Sequence, residues 1–339
     1  MLQNERYPLC ANFCPRGPGA PLLSFSDHGS WISDGRFYDI DAQAAQYHGY
    51  EQQYQQLSRG PFEGRCRLFT FADELIINLE SANREIAASA ATPQDRYGAC
   101  FLADASPPCS LNATEFSQNH IVLTPERKSV EGRMAEGLSV YCMDVSNSLF
   151  PDDGHNMKAT GVLEHPAGTR RLRELVQAGI ATFSTLQTPA DYPAAVCSFK
   201  SSVADLLWQI AALPRMESIS TRRYTTARAL SVFRRAREYI HHHLADGVSI
   251  ATLCKDTGVS RRSLESVFQS VVSVSPASYV RALQLNRVRR DLLSQLHGDV
   301  SIGVIAARHG IWHWSRFSNY YRRMFGELPS ETRLRQADA

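Results

Sequence analysis

The sequence predicts a multidomain α+β protein: a β-rich N-terminal domain, built as a cupin-like barrel or sandwich with flanking helices, followed by an all-α domain with two helix-turn-helix motifs. A helix–turn–helix pattern occurs twice in about the last hundred of the 339 residues. Short β-branched and aromatic segments separated by turn formers fill residues 64–145. Residues 228–339 carry 17 Lys and Arg against 9 Asp and Glu, net +8, whereas residues 1–227 carry 19 against 25, net −6. This charge split indicates a polyanionic partner for the C-terminal part alone.

The first helix-turn-helix pattern lies in residues 249–269. Ile250 and Leu253 share one apolar helical face, Gly258 can form the turn, and Ser260 is a natural N-cap for the next helix. The pattern predicts two helices joined by a turn of three or four residues.

The second pattern, in residues 300–326, repeats this layout. An apolar helix is followed by Gly310 and by a helix that is expected to open near Ser315. The apolar positions of that helix follow the spacing i, i+4, i+8, at Phe317, Tyr321 and Phe325.

A long amphipathic segment joins the two motifs. Pro276 is expected to start a helix that runs to about Leu293 and is roughly 25 Å long. Two recognition helices held apart by such a rod can enter successive major grooves on one face of B-DNA, which recur every ~34 Å. A single chain could therefore read two half-sites.

The C-terminal residues 228–335 resemble the AraC/XylS family of bacterial transcription regulators. The sequence departs from the family pattern at Ile311, where Phe is usual, at Asn319, where Arg is usual, and at Ser273, where Gly is usual. These departures concern the DNA sequence that is read and not the fold. The resemblance rests on Leu264, Phe268, Ser275, Pro276, Tyr279, Gly310, Ser315, Arg316, Phe317, Ser318, Tyr321, Arg322, Phe325, Gly326 and Pro329.

The resemblance implies a bacterial transcription regulator, an activator, that binds double-stranded promoter or operator DNA and contacts RNA polymerase. It also implies a homodimer and a small-molecule effector bound by the N-terminal domain. The alternative is a ligand-independent regulator of the virulence or quorum-sensing type. Within the family, the stretches 50–64, 260–264, 285–290 and 312–313 resemble regulators of ethanolamine-utilisation operons.

The N-terminal part is expected to form several short strands, at residues 66–71, 75–79, 97–102, 121–123 and 138–145. Strands and turns at this spacing favour an antiparallel sandwich or barrel, whose interior can hold one small ligand. A purely structural β-domain is the alternative. Residues 1–35 are predicted to be an irregular arm, and residues 43–57 have the composition of a helix.

The sequence shows no catalytic or metal-binding constellation, so we expect no enzyme activity, no metal and no cofactor. It contains neither a glycine-rich phosphate loop nor a nucleophile elbow. Of its eight cysteines, Cys10 and Cys14 form the only close pair. A DNA-repair methyltransferase fusion is a remote alternative, because a second cysteine pair and a Pro-Cys-His-Arg acceptor are missing. The histidines of the N-terminal part are isolated: His28, His48, His120, His155 and His165.

The chain has no run of eighteen apolar residues and no apolar signal-peptide core at its N-terminus. These two features predict a cytoplasmic protein that is not bound to a membrane.

Two amphipathic helices are expected at residues 170–186 and 190–213, between the β-rich part and the C-terminal motifs. They could form a dimer interface through Leu206 and Ile210, or pack on their own β-domain. The resulting organisation is a ligand-sensing domain at residues 1–165, a helical dimerisation segment at 166–215, a polar linker at 216–227 and a DNA-binding domain at 228–336.

The side chains expected to contact DNA point away from the apolar face of each recognition helix. They combine Arg, Asn, Gln and Ser, the types that base edges and phosphates require. In the first helix they are Ser260, Arg261, Arg262, Glu265, Ser266 and Gln269, and in the second Trp314, Ser315, Arg316, Ser318, Asn319, Arg322 and Arg323.

Overall fold

The computed structural model describes residues 32–46, 50–104, 107, 109–151, 161–186, 192–212, 220–294 and 300–337. Within these residues, two antiparallel β-sheets and three helices precede a bundle of seven helices. The predicted fold class, a β-sandwich domain with flanking helices followed by an all-α domain, is confirmed.

The strands form a seven-stranded sheet in the order β1-β3-β4-β11-β6-β9-β12 and a five-stranded sheet in the order β2-β5-β10-β7-β8. All neighbouring strands are antiparallel. Their bounds are β1 Ile32–Phe37, β2 Glu51–Gln56, β3 Gly64–Phe71, β4 Leu75–Ala82, β5 Ile86–Ala91, β6 Arg96–Leu102, β7 Cys109–Leu111, β8 Thr114–Phe116, β9 His120–Thr124, β10 Ser129–Met134, β11 Leu138–Ser146 and β12 Gly161–Glu164.

The helices of the N-terminal part are α1 Ile40–Ala44, α2 Pro166–Phe183 and α3 Pro193–Ala212. The C-terminal bundle consists of α4 Ser220–His243, α5 Ile250–Thr257, α6 Arg261–Val272, α7 Pro276–Leu293, α8 Ile302–Arg308, α9 Trp314–Phe325 and α10 Pro329–Ala337.

The outer face of the seven-stranded sheet is covered by α2 and α3. Leu172 and Val176 of α2 and Val203 of α3 are fully buried in one cluster with sheet residues such as Phe71. Leu206 and Ile210, which the sequence offered as a dimer contact, belong to this cluster. The prediction that they face a partner is wrong, because both side chains pack within their own chain.

The helix predicted over residues 43–57 is also wrong. The chain forms the short helix α1, and the Gln- and Tyr-rich run that follows is strand β2, paired in register with β5. Both faces of β2 are covered: Tyr54 points toward Glu80 of the other sheet, and Gln55 is buried where the strand meets the C-terminal helices. Burial on two faces outweighs the helical composition of the segment.

All five predicted strand positions are occupied by β3, β4, β6, β9 and β11, and the strands that were missed are short or poor in β-branched residues. Strand β5, for example, reads Ile-Ala-Ala-Ser-Ala-Ala. The predicted arm at residues 1–35 is only partly testable, since residues 1–31 lie outside the described residues and β1 begins at Ile32. Cys10, Cys14, His28, His48 and His155 lie outside them too.

The polar stretch predicted to be a linker at 216–227 is helical from Ser220 onward, where α4 begins. Residues 216–219 lie outside the described residues. Helix α4 therefore enters the C-terminal bundle directly, and Phe233, Ala236 and Ile240 bury its apolar face there.

Candidate nucleic-acid interface

Helices α5 and α6 form the first helix-turn-helix unit. Ser249 and Ser260 cap them, since the hydroxyl of Ser249 accepts from the Thr252 amide at 3.0 Å and that of Ser260 from the Ser263 amide at 3.2 Å. Gly258 ends α5 in the left-handed conformation. These local signals place the turn where the sequence predicted it.

An aromatic cluster fixes the first recognition helix, α6. Phe268 is fully buried, and its ring lies 5.0 Å from Phe233 of α4 and 5.4 Å from Tyr279 of α7. The helix ends at Ser273, whose φ of 56° lies in the left-handed region. This conformation explains why the AraC/XylS pattern usually has Gly at that position.

All six predicted DNA-contact residues of the first unit are exposed along one side of α6. Arg261 forms an i,i+4 ion pair with Glu265 at 3.0 Å, both side chains being at least half exposed. The six predicted contact residues are Ser260, Arg261, Arg262, Glu265, Ser266 and Gln269.

The second unit, α8 and α9, turns through Gly310, which has a φ of 75°. A Cβ atom there would lie 2.2 Å from the carbonyl oxygen of Leu244, so only glycine fits. Helix α9 begins at Trp314, one residue before the expected start, and its N-cap residue His313 makes no side-chain capping hydrogen bond. The second recognition helix thus lacks the cap that Ser260 gives the first.

The packing of α9 agrees with the predicted apolar spacing, because Phe317, Tyr321 and Phe325 are all buried. Tyr321 donates to the hydroxyl of Thr332 in α10 at 2.9 Å. All seven predicted contact residues of this unit are exposed: Trp314, Ser315, Arg316, Ser318, Asn319, Arg322 and Arg323.

Helix α7 is the predicted connector, and its bounds confirm the prediction. Val280 and Leu283 pack into the core of the first unit, while Leu285 and Val288 pack into the core of the second. With 18 residues the helix is about 27 Å long. Because one rod contributes to both cores, it holds the two units at a fixed separation.

The outer face of the five-stranded sheet packs against the first unit. Glu131 of β10 is buried, with Arg234 Nε at 2.7 Å and Arg237 Nη1 at 3.1 Å from its two oxygens. Ser110 of β7 donates to the carbonyl of Ser270 in α6 at 2.7 Å. The recognition helix is therefore hydrogen-bonded to the sheet near its C-terminal end.

A second set of contacts joins the N-terminal part to α7 and α9. Asn286 exchanges two hydrogen bonds with the backbone of Gln56, at 3.1 and 3.2 Å. The Gln56 side chain and the Gly60 amide both donate to the carbonyl of Met324, at 2.9 and 3.0 Å. Leu57 packs against the cores of both helix-turn-helix units. Strand β2 and its following loop thus touch both units at once.

Helix α1 adds charged contacts to the same connector. Asp41 forms an ion pair with Arg290, and Asp39 lies 3.6 Å from Arg289, which also pairs with Glu327. Burial raises the pKa of Asp39, and the neighbouring Asp41 adds to this effect. These contacts hold the end of α7 against the sandwich.

The space between the two sheets contains a buried carboxylate. Glu80 accepts from Gln43 Nε2 at 2.7 Å and from the Tyr54 hydroxyl at 3.0 Å. Burial raises the pKa of Glu80, and the two donors oppose this shift. A small cavity next to this site is lined by Ser33, Gln46, Cys66, Leu68 and Asn78.

The sequence did not identify the contacts between the two parts of the chain, nor the exposure of Trp312 next to α9. Within the described part of the chain, no group of three or more His, Cys, Asp and Glu side chains could hold a metal ion. In the same residues no helix is both long enough and apolar enough to span a membrane.

The geometry defines a double helix-turn-helix domain whose two recognition helices expose polar and basic faces. A model of the family described as "Helix-turn-helix domain" matches residues 253–335. Two curated relatives are each similar to about a third of the chain.

The probable thc operon regulatory protein of Rhodococcus erythropolis is 32% identical over 100 residues, which are 30% of this chain and 30% of that protein. The XylDLEGF operon transcriptional activator of Pseudomonas putida is 36% identical over 104 residues, 31% of this chain and 32% of that protein. The chain thus spans about a third of the length of these relatives.

Among solved structures, that of the AraC-like transcriptional activator CuxR covers 81% of this chain and 100% of its own, with a TM-score of 0.41 and 17% identity.

Proposed function

We propose that the protein is a sequence-specific DNA-binding transcription regulator, and that it activates transcription. The observation that carries this proposal is the pair of exposed recognition helices, α6 and α9, mounted on the single connector α7. The positive net charge of residues 228–339 supports a DNA partner. The relatives described above include a transcriptional activator.

The exposed side chains of each recognition helix make two kinds of DNA contact in this proposal. The exposed side chains in the first turn of each recognition helix contact base edges, and those farther along the helix contact phosphates. Arg262 is therefore assigned to a base and Arg323 to a phosphate. RNA polymerase is the further partner of an activator of this type.

Selection of bound duplexes from a random pool by the full chain, followed by genome-wide mapping of bound sites, tests the proposal. We expect an enriched sequence with two half-sites, and bound genomic sites upstream of regulated genes. Binding without any sequence preference would contradict it, because an exposed basic surface alone gives only non-specific affinity.

We further propose that the sandwich is a sensor for a small molecule, with residues 1–165 as the sensing unit. The polar site at Glu80 supports this, since its two donors stand on the elements that touch the connector. Gln43 lies on α1, which also carries Asp41, the ion-pair partner of Arg290 in the connector. Tyr54 lies on β2, two residues before Gln56, whose backbone carbonyl accepts a hydrogen bond from Asn286 in the connector. A ligand that displaces either donor would shift α1 or β2 against α7.

The coupling between Glu80 and the connector can be measured without knowing the ligand. Glu80→Gln should increase amide hydrogen exchange in α7 and change operator affinity. Glu85→Gln is a matched control, because Glu85 is partly exposed and pairs with Arg133 instead. Equal exchange in α7 for both variants would count against the coupling.

The dimer interface of a regulator with this organisation is proposed to use the outward faces of α2 and α3. Their exposed positions carry Arg170, Glu174, Ser201 and Asp205. Charge reversal at Arg170 and Asp205 should produce monomers in sedimentation if the interface lies there. An unchanged oligomeric state would place the interface elsewhere.

A ligand-independent regulator is the second candidate function. Two features favour it. Gln43 and Tyr54 of the chain itself already donate to the Glu80 carboxylate, so no ligand is needed there. The adjoining cavity is also small. Operator binding and transcription that do not respond to extracts of growing cells would support this candidate over the sensor.

A further inference from the structure

The second helix-turn-helix unit carries an exposed apolar patch, and the first does not. Among the described residues, six large hydrophobic side chains are exposed. Three of them lie in the second unit: Val304 of α8 at 48% exposure, Trp312 of the turn at 62% and Trp314 at the start of α9 at 47%. Burying so much aromatic surface against a partner is favourable, so this patch indicates a contact surface.

The Trp314 ring is held in place by its neighbours. A Cβ atom on Gly303 of α8 would lie 2.5 Å from the Trp314 ring, so the ring packs directly on the backbone of α8. On its other side the ring meets Phe317 edge to face, with centroids 6.0 Å apart. A half-exposed ring fixed in this way loses little conformational entropy when it binds.

The position of the two tryptophans decides which partner they meet. Trp312 lies in the turn, and Trp314 is the first residue of α9, the second recognition helix. The N-terminal end of a recognition helix is the part that reaches base edges in the major groove. In that groove the C5-methyl group of thymine is the one apolar feature of a base edge.

We propose that Trp312 and Trp314 read thymine methyl groups in the second half-site. This inference rests on the proposed DNA-binding function and deepens it by assigning base chemistry to one unit. The first unit reads hydrogen-bond donors and acceptors of the bases through Arg262. The second unit reads methyl groups, so its half-site contains thymines facing the two rings.

The test replaces thymine by deoxyuridine, which removes the methyl group and leaves every hydrogen-bonding group in place. A bound duplex is first obtained by selection with the full chain. Each thymine of the second half-site is then replaced in turn, and the affinity is measured. Loss of one buried methyl contact should weaken binding about fourfold. The same replacement in the first half-site should have a smaller effect.

Protein variants connect this loss to the two rings. Trp312→Ala and Trp314→Ala should each lose the discrimination between thymine and deoxyuridine at the base that faces the removed ring. Gly303→Ala should behave similarly, because the new methyl group displaces the Trp314 ring while alanine favours the helix. Leu334→Ala is the matched control: Leu334 is 65% exposed in α10, which belongs to neither helix-turn-helix motif, and its variant should keep the discrimination.

The possible failures can be told apart. If the full chain selects no sequence, the proposed DNA-binding function fails. If it selects a sequence but deoxyuridine replacement in the second half-site leaves the affinity unchanged, only this inference is overturned. Unchanged DNA discrimination in the tryptophan variants, together with loss of transcription activation, would assign the patch to a protein partner instead.

Discussion

The two helix-turn-helix units have the same layout but differ in what surrounds them. The first unit is capped by Ser260, anchored to the sandwich through Glu131, and exposes charged and amide side chains. The second has no side-chain cap at His313, touches the sandwich at the carbonyl of Met324, and exposes two tryptophans. The two units therefore share one scaffold but differ in their attachment and their exposed side chains, which fits the proposal that the chain reads two unlike half-sites.

The largest expected effect comes from the aromatic core of each unit. Phe268→Ala and Phe317→Ala each remove a buried ring and should cost about 3–5 kcal/mol of local stability. Because the cluster around Phe268 also contains Ala87 of β5, its loss should raise hydrogen exchange in the sheet as well. Phe317→Ala should raise exchange in the second unit and leave β5 unchanged. Equal exchange in β5 for both variants would show that the two units do not differ in their attachment to the sandwich.

The next effect concerns the anchor of the first unit. Glu131→Ala leaves Arg234 and Arg237 without their carboxylate, and should cost about 1–3 kcal/mol, less than for fully buried partners because both arginines are partly exposed. Thermal unfolding measures the loss, and exchange in α4 and α6 locates it. Glu136→Ala, which removes an exposed partner of Arg84, is the control and should change stability by less than about 1 kcal/mol.

A third prediction separates base contacts from phosphate contacts. Arg262→Ala should cost about 1–3 kcal/mol on the selected operator and much less on random DNA. Arg323→Ala should weaken both duplexes alike and reduce the salt slope by about one unit. Affinities for operator and scrambled duplex at several salt concentrations decide between these roles. The reverse pattern would exchange the two assignments.

The smallest effect compares the helix caps. Ser260→Ala removes a capping hydrogen bond and should cost about 1 kcal/mol. His313→Ser supplies a capping group where none is used, and should stabilise the second unit by a few tenths to about 1 kcal/mol. Denaturant unfolding of both variants gives the comparison. A destabilising His313→Ser would show that the histidine has a role at this position other than capping.

The sequence was most informative where structure is set locally. Caps such as Ser260, glycines such as Gly310 and the apolar spacing of Phe317 and Tyr321 depend on neighbouring residues, so both units and the connector could be predicted. Strand β2 could not, because its two buried faces are covered by residues distant in the chain. For the same reason the inward packing of Leu206 and the anchor at Glu131 became visible only in the structure.

The central claim is that one rigid chain reads two half-sites at a fixed separation, because α7 belongs to the cores of both units. The most direct measurement is the affinity of the full chain for the selected operator with base pairs inserted between the half-sites. An insertion of about half a helical turn, ~5 base pairs, places the half-sites on opposite faces of the duplex. We predict that it lowers the affinity about a hundredfold or more, to that of a single half-site. An affinity that does not depend on the insertion would contradict the claim.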